Sequence, residues 1–228
     1  MPTRDVHATT DHPTIRPSRA ARAGLLTALS ALTALAAAAA GVAFAAPAGA
    51  AAKASATASP AFLSPTELPP HRSSAWTADR VKKGVPDGMA CVGDALPGYD
   101  SRYREFRTEL DTGAVQLTIV AASDTKAKAL AARLNKEIRS CQTRIEQSDP
   151  DEGAELRDYG TLPVEEGAHV YGLHTWTSYG ATDIHLLSVG RDGRAVTIVQ
   201  WGELGDFGNA PVKAFKKTTT TAVKKLYL

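Results

Sequence analysis

Four side chains near the C-terminal end of the chain have the types a ligand cleft needs: His174, Trp176, His185 and Gln200. Imidazole and amide groups fix a ligand's orientation by hydrogen bonding, and an indole gives it apolar area to bury against. All four fall in strand-like runs, His169–Ser178, Asp183–Gly190 and Ala195–Gly202. Asp192-Gly193 between the last two runs is a strong two-residue hairpin signal. That loop sets Leu187 opposite Ile198 and His185 opposite Gln200. A loop of two or four residues near Gly180 puts His174 and Trp176 on the same face. Tyr171, Leu173, Ile184, Leu186, Val199 and Trp201 then form a helix-covered core on the other face. The competing reading is a sheet face with ordinary polar residues, lightly covered by a Pro-rich segment. A slip of one residue in either register breaks the foursome.

Other chemistry has weaker support. His174 and His185 with Asp183 fall short of the three or four ligands of a zinc centre, and His169 has the wrong strand parity, so no metal site is expected. The run Gly202-Glu203-Leu204-Gly205-Asp206-Phe207-Gly208 resembles a phosphate-cradling loop only in its glycines. Its two acids would repel an anion, and the spacing is neither a P-loop nor a dinucleotide fingerprint. Ser123-Asp124-Thr125-Lys126 matches Ser-x-x-Lys, but the companion Ser-Asp-Asn and Lys-Thr-Gly motifs are absent, and Ser123 and Asp124 serve equally as helix caps. There is no Gly-x-Ser-x-Gly elbow. No catalytic residue, cofactor or metal is therefore assigned. A hydrolase of unrecognised type stays as an alternative to a binding domain.

The elements that must position these residues lie behind a leader. Arg16, Arg19 and Arg22 precede an uncharged apolar run, Leu25–Ala45. Small-residue cleavage sites follow at Ala43-Phe44-Ala45 and Ala46-Pro47-Ala48. This order marks residues 1–50 as a secretory signal peptide, the alternative being an uncleaved membrane anchor. Residues 51–61 read as a flexible lead-in and 62–228 as one domain. Cys91 and Cys141 are the only cysteines. In an exported chain two cysteines usually pair, and the loop closed would contribute roughly 4 kcal/mol in the chain-entropy model. Two separate buried thiols are the alternative.

Between Phe62 and Pro97 prolines interrupt regular structure, with Trp76 and Val81 available to pin the segment. Phe106, Thr108 and Leu110 alternate with charges, and Val115, Leu117 and Ile119 alternate with polar residues. A two-residue turn predicts Leu110 opposite Val115 and Phe106 opposite Ile119. Ala127, Leu130, Ala131, Leu134, Ile138, Cys141 and Ile145 predict one amphipathic helix from Ser123 or Asp124 to about Gln147, with Cys141 facing the core. A strand near Leu156–Leu162 follows. The last helix is expected with Asn209 as N-cap, Pro211 in its first turn and a buried stripe from Val212 to Leu226, its lysines solvated. Two hairpin-then-helix units, 104–147 and 183–226, share similar turns. The fold class is α+β: a twisted, mainly antiparallel sheet with two helices packed on it and one disulfide.

Charge excludes one class of partner. The chain has 26 basic and 24 acidic residues; residues 1–50 hold four Arg against two Asp, leaving 22 of each. A balanced domain lacks the basic footprint of a nucleic-acid binder.

Three segments carry a family resemblance: Phe62-Leu63-Ser64-Pro65-Thr66-Glu67-Leu68-Pro69-Pro70, Val199-Gln200-Trp201-Gly202-Glu203-Leu204-Gly205, and Ala214-Phe215-Lys216-Lys217-Thr218 through Leu226-Tyr227. Over about residues 62–228 the chain resembles exported actinobacterial proteins described as sensor domain-containing. It is distantly similar to the extracellular sensor domain of the mycobacterial serine/threonine kinase called protein kinase H. The resemblance implies a disulfide-held antiparallel sheet with helices and a cleft for a ligand. The chain departs from it in carrying no kinase domain and one cysteine pair rather than two. The expectation is a secreted, non-enzymatic binding or sensor-like domain for a small-molecule or peptidic ligand. Its alternative is a cell-envelope protein–protein interaction module, with membrane contact only through the leader.

Overall fold

The computed structural model describes residues 59–97 and 100–227. The leader, its cleavage motifs and most of the lead-in lie outside the described residues.

The most apolar strands sit at the centre because both their faces need covering. Strand β7 (Thr182–Asp192) carries Ile184, Leu186, Leu187 and Val189, and β8 (Ala195–Leu204) carries Val196, Ile198 and Val199, all at most 2% exposed. Burying one such side chain contributes about 1.5–3 kcal/mol. Outward from β8 lie β4 (Gly113–Val120) and β3 (Ser101–Arg107), which is flanked by the two-residue strands β1 (Thr77–Ala78) and β2 (Lys82–Lys83). Outward from β7 lie β6 (Ala168–Thr177) and β5 (Glu152–Leu162). The eight strands form one sheet in the order β1-β3-β4-β8-β7-β6-β5, with β2 also on β3 and every pairing antiparallel. The α+β class holds.

Helices cover both faces. Leu117 pairs with Ile198, and Leu187 with Gln200, so these residues share one face. There they pack with Ala127, Leu134 and Ile138 of α1 (Asp124–Arg139) and Cys141 of α2 (Cys141–Ser148). The opposite face, with Ile184, Leu186, Val199 and Trp201, packs on Phe215 and Ala222 of α3 (Val212–Lys224). Ser123 caps α1, its Oγ accepting the Lys126 N–H at 3.3 Å. The expected single helix is broken at Ser140, which stands at the C-terminus of α1 and the N-terminus of α2.

The disulfide is formed: Cys91 and Cys141 lie 5.3 Å apart at Cα. The Pro-rich segment is an integral part of the fold. Leu63 is fully buried, and its N–H donates to Oε1 of the buried Gln116 at 2.7 Å. Glu67 Oε2 accepts from Lys225 Nζ at 2.6 Å and from Ser64 N–H at 2.7 Å. Trp76 Nε1–H donates to Pro69 O at 2.7 Å, whereas Val81 is 44% exposed and pins nothing.

Three local expectations are corrected. Phe106 pairs with Ala114 and Glu105 with Val115, because the β3–β4 connection spans Thr108–Thr112 rather than two residues. Phe106 and Val115 therefore face opposite ways, and Leu110 is 57% exposed at the turn. Asn209 does not cap α3; its Oδ1 accepts the Asp206 N–H at 3.1 Å, closing the preceding loop. Of the α3 lysines, Lys216 donates to Tyr159 O at 2.7 Å and is not simply solvated.

Candidate functional site

His185 and Gln200 reach the same sheet face, as the hairpin signal implied. The observed loop is Gly193-Arg194, so Asp192 pairs with Ala195, His185 with Gly202 and Leu187 with Gln200. A shift of two residues along the strand preserves the face. Gly202 makes space for the imidazole: a Cβ there would lie 2.5 Å from His185 Nδ1. Nδ1 is buried and has no hydrogen-bond partner among the described residues. Burial pushes the imidazole below its ordinary pKa, with Asp183 acting weakly in the opposite sense. Gln200 Oε1 accepts the Ala90 N–H at 2.8 Å.

Both residues line an open cleft of about 570 Å³. Six carboxylates reach its walls, those of Asp79, Asp87, Glu105, Asp111, Asp183 and Glu203, against one guanidinium, Arg107. Some are compensated: Asp79 pairs with Arg107 at 2.8 Å, and Glu105 with Lys82 at 2.6 Å. Glu203 accepts from Thr112 Oγ1 at 3.0 Å. Among the described residues, Asp87, Asp111 and Asp183 form no ion pair. No Ser, Thr, Cys, Tyr or Lys is among the described residues lining this cleft.

His174 and Trp176 lie on the other face. The β6–β7 connection is Ser178, Tyr179 and Gly180, so Thr177 and Ala181 close the turn, His174 pairs with Ile184 and Trp176 with Thr182. An odd-length loop inverts the parity that a two- or four-residue loop would give. Tyr171 and Leu173 move with it, onto the face of His185. His174 Nε2 lies 2.8 Å from Thr182 Oγ1, and its ring is 5.1 Å from Trp176 and 5.7 Å from Phe207. The indole lies over Gly153, where an added Cβ would come within 2.3 Å of the ring, and Trp176 is 41% exposed. The four residues are two pairs set back to back.

A second cleft, about 510 Å³, escaped the sequence reading. Met89, Ala90, Cys91, Glu137, Cys141, Arg144 and again His185 line it. His185 is distant in sequence from both cysteines; only the strand order brings it beside them. Also unforeseen is the pair of Asp158 Oδ1 and His169 Nε2 at 2.6 Å. Asp158 is partly desolvated, but hydrogen bonds from His169 and the Gly160 N–H outweigh this and hold its carboxyl below the usual range. The neighbouring Tyr171 hydroxyl is tied to Arg139 and Asn135, at 2.9 and 3.0 Å.

The glycine-rich loop holds itself together. Gly208 N–H donates to Asp206 Oδ1 at 2.7 Å, which spends on the loop's own acid a donor that an anion would need. Among the described residues no group of three His, Cys, Asp or Glu side chains is placed to hold a metal ion. No family model matches the chain, and no curated protein matches it.

Proposed function

We propose that the domain is an exported, non-enzymatic binding module of the sensor type, taking a cationic small-molecule or peptidic ligand in the cleft of His185 and Gln200. The observation that carries this reading is the cleft wall: among the described residues four of its carboxylates, Asp87, Asp111, Asp183 and Glu203, have no ion-pair partner, around a cavity of about 570 Å³. That volume suits a small ligand, and concave walls of one charge concentrate the field on an opposite charge. A binding role is supported by the lining chemistry, since among the described residues no hydroxyl, thiol or amine nucleophile lines the cleft and no group orients His185 Nδ1 as a base. Export is supported by the leader and by the disulfide, which persists in oxidising compartments. No helix among the described residues is long and apolar enough to cross a membrane.

Thermal shift of the purified protein against cationic and anionic probes tests this. Spermidine or a lysine-rich peptide should raise Tm saturably at low ionic strength, and citrate should not. Equal shifts with both, or none with either, would remove the reading.

A cell-envelope protein–protein interaction module is favoured by a separate observation. Trp176, Tyr179 and Leu204 are 41%, 80% and 59% exposed, and Trp176 and Tyr179 lie at or beside the β6–β7 turn. Exposed apolar side chains of that size often mark contact surfaces.

A further inference from the structure

A strap crosses the sheet face above His185. Its upstream end is fixed behind β2, where Gly84 N–H donates to Ser101 O at 2.9 Å. Its downstream end is fixed at Val92, 1% exposed, and by Arg133, which donates to Ala95 O. Between these anchors Val85–Cys91 is held by the bond to Cys141, by Ala90 N–H to Gln200 Oε1 and by Arg144 to Cys91 O, both at 2.8 Å, and by the buried Pro86 and Met89. Gly84 and Gly88 have φ of +98° and +71°, with nothing within 4 Å of an added Cβ. They are natural pivots. Cys91, at φ +68°, holds a conformation that a Cβ disfavours and that persists only where the surroundings impose it.

The strap divides the two clefts. Pro86, Asp87 and Gly88 wall the acidic one, Met89, Ala90 and Cys91 wall the other, and His185 lines both. Lifting Val85–Cys91 would join the clefts and open a wider path for water and reagents to an imidazole whose Nδ1 is buried in the closed form.

We propose that Val85–Cys91 is a gate over His185 and that the Cys91–Cys141 disulfide is its latch, released by a dithiol reductant. One thiolate of the reductant attacks a cysteine sulphur, forming a mixed disulfide and expelling the other cysteine as a thiolate, which takes up a proton. The second thiol then closes on the mixed disulfide. The reductant departs as a disulfide, and Cys91 and Cys141 are left as thiols. Both cysteines line the second cleft, giving the reductant a route. The meaning of the gate rests on the ligand reading of the cleft; its existence is measurable without a ligand.

The test is the rate of diethyl pyrocarbonate modification of each histidine, read by peptide mass spectrometry on the full protein. The oxidised form is compared with protein reduced under native conditions and alkylated at both cysteines. Reduction should raise the His185 rate about tenfold or more and leave His169 and His174 within about twofold. The C91S/C141S variant should behave as the reduced protein does. If that variant exposes all histidines together, it has unfolded, and the reduced native protein decides. An unchanged His185 with both cysteines alkylated overturns the gate. A joint rise at all three histidines on reduction also overturns it, because the bond would then be a staple of the whole fold. Spermidine titration runs in parallel: no binding alongside a responsive His185 removes the ligand reading and leaves the gate.

Discussion

Gly202 and His185 face each other across the β7–β8 pair so closely that a methyl group on Gly202 would fall 2.5 Å from Nδ1. Space for the imidazole is thus written into the neighbouring strand. Gly202→Ala should displace the ring and cost about 1–3 kcal/mol, the range for overpacking a tight site. Urea unfolding measures this, and a loss under about 0.5 kcal/mol would mean that the ring moves aside freely.

Gln116 stands at the buried crossing of sheet and N-terminal segment. It accepts from Leu63 N–H at 2.7 Å and donates to Thr197 Oγ1 at 3.3 Å. Gln116→Leu leaves both partners buried without it, at a cost of about 2 kcal/mol or more. Hydrogen exchange should locate the loosening at Phe62–Leu68, and an undiminished stability would contradict the structural role given to that segment.

Acid should weaken the fold in two stages. His185 is held below its ordinary value near 6.5 by burial, so the unfolded chain takes up this proton first, and stability falls as pH drops from about 6.5 through the folded value. Glu67 loses solvation, but hydrogen bonds from Lys225 and Ser64 outweigh that and hold it below 4.5; the stability it adds is complete above 4.5 and lost as pH falls through the folded value. Unfolding free energy followed against pH should lose the first stage in His185→Gln, and the second should shrink in Glu67→Gln, with Asp158 sustaining the remainder. A change in neither stage contradicts the assignments.

Besides latching the strap, the disulfide should constrain the unfolded chain. Removing both cysteines as C91S/C141S should cost about 2–4 kcal/mol, while a sheet of eight strands keeps its far-ultraviolet circular dichroism. Loss of that signal at room temperature would contradict an independently stable sheet.

The sequence made visible what local periodicity and turn chemistry determine. Cys141 fell on the apolar stripe of a helix, which aimed its sulphur inward, and Asp192-Gly193 located the β7–β8 hairpin within one residue. What was illegible depended on loop parity. Ser178-Tyr179-Gly180 carries no signal that distinguishes three residues from two or four, and that single residue moved His174 and Trp176 to the far face. The β3–β4 register failed for a related reason. β4 is buried on both faces, with Gln116 and Thr118 inside as deeply as Leu117, so polarity could not tell inward from outward. The neighbourhood of His185 and the cysteines arises from strand order, which no local pattern encodes.

On the function proposed above, a cation binds among the carboxylates beside His185. The most direct measurement is a spermidine titration of the isotope-labelled protein at low ionic strength, followed by amide chemical shifts. Saturable changes should cluster at Gly113–Val115, Asp183–His185 and Gln200–Leu204, and should weaken in Asp183→Asn. Changes centred on His174 and Trp176, or no saturable change at all, would contradict it.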